Sequence, residues 1–193
     1  LVRSRGLGDV YKRQGHRVVF GRQRSRTVLQ TSPHLLQPLP ARRRCHALHA
    51  QGFLHRNLGP EYLFLTEKGG LKLLGLGGAR TARDATLSTF TITAGLIPRY
   101  GAPELIESSR ADTRADLYSA GALGFRMLTG VDAIPIDDTR PPGEAIKLVQ
   151  RGTPYRASQL RPDLGLPYDS FFERMLSVDP SARPHRCAAA ASA

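Results

Sequence analysis

The sequence has little of what disulfide frameworks, cysteine-bound metals and membrane spans are built from. Its 193 residues include only two cysteines, Cys45 and Cys187. They lie far apart and form no C-x-x-C pair, which speaks against a disulfide scaffold and a metal site and fits a reducing, cytoplasmic compartment. No run of about 18 apolar residues exists, so the sequence predicts no membrane-spanning helix. Internal repeats are absent as well, which excludes repeat arrays.

Acidic residues are scarce in the first quarter of the chain but not beyond it. The net charge is +12 and the pI is about 10.6, values that alone would favour a nucleic-acid or anionic-membrane partner. Residues 1–50 hold eleven of the 28 lysines and arginines but a single acid, Asp9. Residues 51–193 are therefore nearly neutral. Because they show no interleaving of aromatic and basic residues and no zinc-ligand spacing, we expect no nucleic-acid binding.

The sequence does contain a series of short motifs in a fixed order. Residues 55–65 read HRNLGPEYLFL, and residues 71–80 read LKLLGLGGAR. Ala102-Pro103-Glu104 follows, then RADLYSAGALGFRMLTG with Asp116, and finally SVDPSARP with Arg183. In order and spacing, residues 41–187 resemble the eukaryotic-type (bacterial Hanks-type) Ser/Thr protein kinase family. That family has a catalytic loop H-R-D-L-x-x-x-N and a metal-binding loop centred on D-F-G.

The resemblance fails at the catalytic positions. In the family, an Asp accepts the substrate hydroxyl proton, a lysine follows two residues later, and an Asn and a second Asp hold magnesium ions. The degenerate positions in this chain are Asn57, Gly59, Tyr62 and Gly75. An amide cannot take up the proton, glycine offers no ligand atom, and a phenol is a poor ligand for a hard cation. The resemblance therefore predicts a pseudokinase with no intact catalytic residue and no metal.

The residues that the resemblance assigns to the fold are kept. It implies that a buried Asp116 accepts hydrogen bonds from the catalytic-loop backbone and that Arg183 pairs with Glu104. Taken singly, Asp116 could instead cap its helix after Thr113, and Glu104 and Arg183 could be ordinary surface charges. The structural motif residues are His55, Arg56, Gly77, Ala102, Pro103, Glu104, Asp116 and Arg183.

Periodicity and turn signals predict an α+β fold that is mostly α-helical. Helices are predicted over residues 41–51, 113–129, 142–151 and 168–177, with a short last one after Pro184. Residues 63–65 and 71–74 predict a hairpin, and residues 81–94 and 159–167 predict loops. By resemblance this is a protein-kinase-like C-terminal lobe without a complete N-terminal lobe. The roughly forty residues before it are too few for five strands, and they contain no V-A-I-K strand.

Both ends of the sequence are expected to lie outside this lobe. Residues 1–14 resemble a translated sequencing-adapter fragment, and residues 15–40 read as an unreliable remnant or linker. GLGDVYK at residues 6–12 lacks the third glycine of the family's phosphate-covering loop, so we do not assign it that role. Residues 188–193 form an alanine-rich tail, which leaves residues 41–187 as the kinase-like lobe.

The leading functional hypothesis is a signalling interaction or regulatory module. It would bind protein partners, such as an active kinase or its substrate, and would use neither the ATP nor the magnesium of the family. The alternative is a fragment of an active or weakly active ATP-dependent Ser/Thr protein kinase, and a third hypothesis is a fragment without function. In the family the arginine matching Arg56 can pair with a phosphorylated activation segment. Its candidate acceptors, which could equally be solvated hydroxyls, are Thr86, Ser88, Thr89, Thr91 and Thr93.

Overall fold

The described part of the chain is mostly helical, as the sequence predicts. The computed structural model describes residues 16–17, 47–65, 71–74, 80–81, 99–107, 111–137, 139–153 and 155–185. Its α-helices are α1 (Glu104–Glu107), α2 (Thr113–Thr129), α3 (Pro142–Arg151), α4 (Ala157–Leu160) and α5 (Gly165–Met175). Its strands are β1 (His16–Arg17), β2 (Phe53–Leu54), β3 (Leu63–Leu65), β4 (Leu71–Leu73) and β5 (Arg80–Thr81). Short 3-10 helices cover Pro60–Tyr62, Pro162–Leu164 and Pro180–Ala182.

Two small antiparallel sheets hold the two ends of the loop at residues 55–62. Strand β2 ends just before the loop and pairs with β5, with Phe53 opposite Thr81. Strand β3 follows the loop and pairs with β4, with Leu63 opposite Leu73, so the predicted hairpin is confirmed. Strand β1 adds to the other edge of β3. Thr81, expected in a loop, belongs to a strand because it pairs with β2, and the remainder of the predicted loop lies outside the described residues.

Helix α2 is the centre of the core, and its predicted bounds are confirmed. Leu117 packs in one apolar cluster and Phe125 in another, so the helix is buried on more than one side. Its N-cap is Asp112, whose carboxylate accepts a hydrogen bond from the Arg114 backbone N–H at 2.8 Å. It ends at Gly130, which has φ +76°, a left-handed conformation that favours glycine. Capping by Asp116, the alternative reading of the sequence, is therefore wrong.

Helices α2 and α5 approach each other closely at a glycine. A Cβ atom placed on Gly121 would lie 2.9 Å from the Cβ atom of Met175, nearer than two carbon atoms approach without displacement. A larger residue would therefore push the helices apart. Phe125 and Phe172 meet edge to face beside this contact, with ring centroids 5.2 Å apart.

The C-terminal region departs from the prediction. Helix α5 spans Gly165–Met175 rather than residues 168–177. The predicted loop at 159–167 contains the end of α4, a 3-10 helix and the first turn of α5. Proline is tolerated in a first helical turn, so Pro167 does not delay the helix, and the buried Leu164 anchors the segment in the core. The prediction for α3 is confirmed, including its end before Gly152.

The remaining predicted helices are described only in part. Residues 47–50 are helical and are followed by a turn at 51–52, where Gly52 has a positive φ. The rest of the helix predicted over 41–51 lies outside the described residues. Residues 184–185 are not helical, and the chain after them also lies outside the described part. Among the described helices, none has both the length and the apolar character needed to cross a bilayer.

Candidate functional site

The loop at residues 55–62 is fixed by two buried leucines and a short 3-10 helix. Leu58 and Leu63 pack with Leu117 of α2 in one apolar cluster. Pro60–Tyr62 form the 3-10 helix, and the Tyr62 backbone N–H donates to the Gly59 carbonyl at 3.1 Å. The backbone of Tyr62 is also tied to the hairpin, because its carbonyl accepts a hydrogen bond from the Leu74 N–H at 2.8 Å. The loop is therefore held in one shape from both sides.

The carboxylate of Asp116 holds the start of this loop. It is 1 % exposed, and its two oxygens accept hydrogen bonds from the backbone N–H groups of His55 and Arg56, each at 2.8 Å. Arg56 has φ +63°, a left-handed conformation that costs free energy for a residue with a side chain. Two charge-assisted hydrogen bonds offset that cost. The backbone contacts that the resemblance implied for Asp116 are present.

His49 is a third partner of Asp116, and sequence reasoning missed it. Its Nε2 atom lies 2.8 Å from the Asp116 carboxylate oxygen that also accepts from His55. His49 belongs to the helical segment at 47–50, so one buried carboxylate links that segment, the loop and α2. No sequence signal marks this contact, because the two residues are 67 positions apart and only packing brings them together.

His55 connects the loop to the residue before Gly75. Its ring is 1 % exposed, and its Nε2 atom lies 2.9 Å from the Leu74 carbonyl oxygen, which requires that nitrogen to carry the hydrogen. The ring also packs against that of Tyr62, with centroids 5.6 Å apart and planes inclined at 60°. His55 has a structural position here, in agreement with the sequence interpretation.

Two of the degenerate positions contact each other. The Asn57 side-chain amide donates a hydrogen bond to the Tyr62 hydroxyl at 3.3 Å, in an exposed position. The pair brings together an amide and a phenol, and neither group is a carboxylate base or a strong ligand for magnesium. Among the described residues, no cluster of His, Cys, Asp and Glu side chains is arranged to hold a metal ion.

Several predicted site residues lie outside the described part of the chain. They are Gly75, Gly77, Thr86, Ser88, Thr89, Thr91 and Thr93. The phosphorylation hypothesis and the expected loss of the metal ligand at Gly75 therefore rest on the sequence alone.

Glu104 and Arg183 form an ion pair joined by two parallel hydrogen bonds. Arg183 Nη1 donates to Glu104 Oε1 at 2.6 Å, and Nη2 donates to Oε2 at 2.9 Å. The Arg183 side chain is 0 % exposed and that of Glu104 is 15 % exposed. The guanidinium also donates to the carbonyls of Ser177, Arg114 and Val178. The pairing implied by the resemblance is present, and the alternative of two separate surface charges is wrong.

The ring of Tyr118 forms one wall of this buried pair. The Arg183 guanidinium carbon lies 4.9 Å from the ring centroid, which places a cation over an aromatic face. Burial raises the pKa of Tyr118 to about 12, with a further increase from Glu104 and a partial decrease from Arg183.

Ala102 and Pro103 are buried beside this pair, and the Leu105 N–H donates a hydrogen bond to the Ala102 carbonyl at 3.0 Å. This motif therefore anchors the fold.

Sequence reasoning missed a second polar cluster, centred on Asp132. Its carboxylate accepts hydrogen bonds from the Tyr100 hydroxyl at 3.0 Å and from Arg99 at 3.2 Å, and it forms an ion pair with Arg126 at 2.7 Å. Burial, followed by the charge of Asp132, raises the pKa of Tyr100 above its usual value. The cluster ties the residues before Ala102-Pro103-Glu104 to the end of α2.

Comparison with known proteins places this fold and these motifs in one family. The sequence profile of the protein kinase domain matches residues 43–192. The probable serine/threonine-protein kinase pknA2 of Bifidobacterium longum is 32% identical over 143 residues, 74% of this chain and 18% of that protein. Serine/threonine-protein kinase Pkn1 of Myxococcus xanthus is 37% identical over 123 residues, 60% of this chain and 16% of that protein. Serine/threonine-protein kinase ATG1a of Arabidopsis thaliana is 40% identical over 83 residues, 43% of this chain and 13% of that protein.

This chain belongs to the protein kinase family, and the recognition made from its motifs is confirmed. It spans less than a fifth of the length of these three relatives.

Proposed function

We propose that this chain is a catalytically impaired protein-kinase-like domain, a pseudokinase, that acts as a signalling interaction or regulatory module. The observation that carries the proposal is that the loop at residues 55–62 keeps its anchored backbone but has lost its catalytic side chains. Its backbone is anchored by Asp116, yet Asn57 and Tyr62 stand where the family has a base and a metal ligand and hydrogen bond to each other.

Phosphoryl transfer depends on positioning and on stabilising the charge of the transferred group, mostly with metal ions and a positioned carboxylate. Loss of a positioned base alone reduces a rate by roughly 10²–10⁴. Tyr62 provides a weak ligand in place of the amide, and Gly75 provides none. We therefore assign no bound ATP, magnesium or other cofactor to the function of this module.

The residues that stabilise the fold are retained. This supports a function that depends on the surface of a kinase domain and does not require phosphoryl transfer. Removing one partner of a buried Arg–carboxylate pair leaves an uncompensated charge, so the fork between Glu104 and Arg183 is costly to disrupt. We propose that residues 41–187 form a kinase-like C-terminal lobe, to whose hairpin the strand at His16–Arg17 adds an edge. Its partners would be proteins, such as an active kinase or a substrate, in the cytoplasm.

A second candidate is a fragment of an active or weakly active Ser/Thr kinase. The observation in its favour is that the relatives are named as kinases. Sequencing the gene together with its upstream region distinguishes the two candidate functions, because it shows which residues are encoded at positions 57, 62 and 75. If the gene encodes Asn57, Tyr62 and Gly75, the pseudokinase is supported. If it encodes Asp, Asn and Asp at those three positions, the active kinase is supported.

A phosphotransfer assay tests the activity itself. The polypeptide that contains this chain is incubated with radiolabelled ATP, magnesium and a general protein substrate, beside the variant Asn57→Asp/Tyr62→Asn/Gly75→Asp. We expect no magnesium-dependent incorporation by the wild type. Magnesium-dependent incorporation by the wild type above the level of a blank without protein would overturn the proposal, whether or not the variant gains activity.

A further inference from the structure

Tyr100 connects the loop at residues 55–62 to the motif that begins at Ala102. Its side chain packs against the apolar cluster that contains Leu58 and Leu63 of the loop. The same side chain packs against the second apolar cluster, which contains Ala102. Because Tyr100 lies only two residues before Ala102, its contacts with both clusters hold the end of this segment against the loop.

Asp132 fixes Tyr100 in this position. The Asp132 side chain is 12 % exposed. Its carboxylate accepts a hydrogen bond from the Tyr100 hydroxyl at 3.0 Å, and such a charge-assisted bond is stronger than one between neutral groups. Arg99 donates to the same carboxylate at 3.2 Å, and Arg126 of α2 pairs with it at 2.7 Å. One acid therefore binds two consecutive residues of the segment and is itself held by α2.

We propose that Asp132 keeps the segment around Tyr100 docked on the loop at residues 55–62 without phosphorylation of the chain. A phosphate orders a segment of this kind by adding a negative charge that pairs with arginine. Here a carboxylate of the chain itself already supplies that charge to Arg99 and Arg126. The inference rests on the proposed function, since a protein partner would meet the same surface whether or not the chain is phosphorylated.

The test is hydrogen exchange of the full chain, followed by mass spectrometry after treatment with a phosphatase. The readout is the exchange of the amides of residues 99–105, because local opening of the segment exposes them to solvent. The variants are Asp132→Asn, which removes the charge, and Tyr100→Phe, which removes the hydroxyl and keeps the ring. The matched control is Asp137→Asn, because Asp137 is exposed and accepts a hydrogen bond within its own turn, from the Thr139 N–H at 2.9 Å.

We expect the dephosphorylated wild type to exchange more slowly at these residues than an unstructured peptide of the same sequence. Asp132→Asn should accelerate this exchange by about tenfold or more, and Tyr100→Phe by a smaller factor, because each variant weakens a hydrogen bond to a charged group. Asp137→Asn should leave it within about twofold of the wild type, as is usual for a surface substitution.

Three results would overturn the inference. The first is exchange in the dephosphorylated wild type as fast as in the unstructured peptide, and the second is equal exchange in Asp132→Asn and Asp137→Asn. The third is an acceleration in α3 of Asp132→Asn as large as that at residues 99–105, since the whole fold rather than the segment would then have loosened. The proposed function fails separately, through magnesium-dependent phosphotransfer by the wild type.

Discussion

Glu104 and Arg183, 79 residues apart in sequence, meet through two parallel hydrogen bonds of 2.6 and 2.9 Å. The contact joins the motif at the start of α1 to the last described segment of the chain. Because the guanidinium is buried and bonds to three carbonyl groups as well, this pair fixes the C-terminal end of the fold.

Replacing Glu104 by alanine should destabilise the chain by about 3–5 kcal/mol, since it leaves the buried Arg183 charge without its partner. The matched control is Glu144→Ala on α3. Glu144 is exposed and lies 3.5 Å from Arg140, so its removal should cost less than about 1 kcal/mol. The free energy of unfolding in urea measures both changes. Equal losses for the two variants would contradict the role given to the fork.

Asp116→Asn should release the start of the loop at residues 55–62. One amide N–H₂ group would face a backbone donor at His55 or Arg56, leaving a buried donor unsatisfied at a cost of about 1–3 kcal/mol. Hydrogen exchange at the amides of His55 and Arg56 should accelerate. Asp112→Asn is the control, because asparagine caps a helix as well as aspartate does, and those two amides should exchange as in the wild type. Unchanged exchange in Asp116→Asn would refute the anchoring role.

The alkaline stability of the chain should depend on Tyr118. Its pKa is raised to about 12 in the folded state, against about 10 in the unfolded chain. Since the unfolded chain ionises first, this contribution is complete below pH 10 and is lost as the pH rises from 10 to 12. It amounts to at most about 3 kcal/mol.

Tyr118→Phe isolates this contribution. The Tyr118 hydroxyl has no hydrogen-bond partner among the described residues, so the variant should match the wild type at pH 7. It should then lose less stability between pH 10 and 12. The pKa of Tyr100 is raised too, so only the difference between wild type and variant is informative. Parallel alkaline curves would contradict the burial of Tyr118.

Gly121→Ala should destabilise the contact between α2 and α5 by about 1–3 kcal/mol, because the added methyl group meets Met175. Gly143→Ala on α3 is the paired control, since open space surrounds that position. Alanine there should be neutral or stabilise the helix by up to about 1 kcal/mol. Thermal unfolding distinguishes the two variants by opposite signs, and a loss of similar size in both would rule out the close approach.

The long-range contacts of Asp116 and of Arg183 could be predicted because the order of the motifs indicates the family. The resemblance to that family then implies contacts that local sequence patterns do not contain. The sequence itself predicted α2 and α3 because a cap, a helical period and a glycine stop agree with one another. It placed α5 too late, since Gly165 and Pro167 look like a loop although proline fits a first helical turn. The contacts of His49 and Asp132 were missed because packing, not spacing, brings these polar groups to their partners.

Magnesium-dependent binding of ATP tests the central claim most directly. The melting temperature of the polypeptide that contains this chain is measured with ATP, with and without magnesium, beside the variant Asn57→Asp/Tyr62→Asn/Gly75→Asp. A ligand that binds the native state must raise the melting temperature as its concentration rises. We predict no magnesium-dependent rise for the wild type. A magnesium-dependent rise that grows with ATP concentration in the wild type would contradict the pseudokinase account.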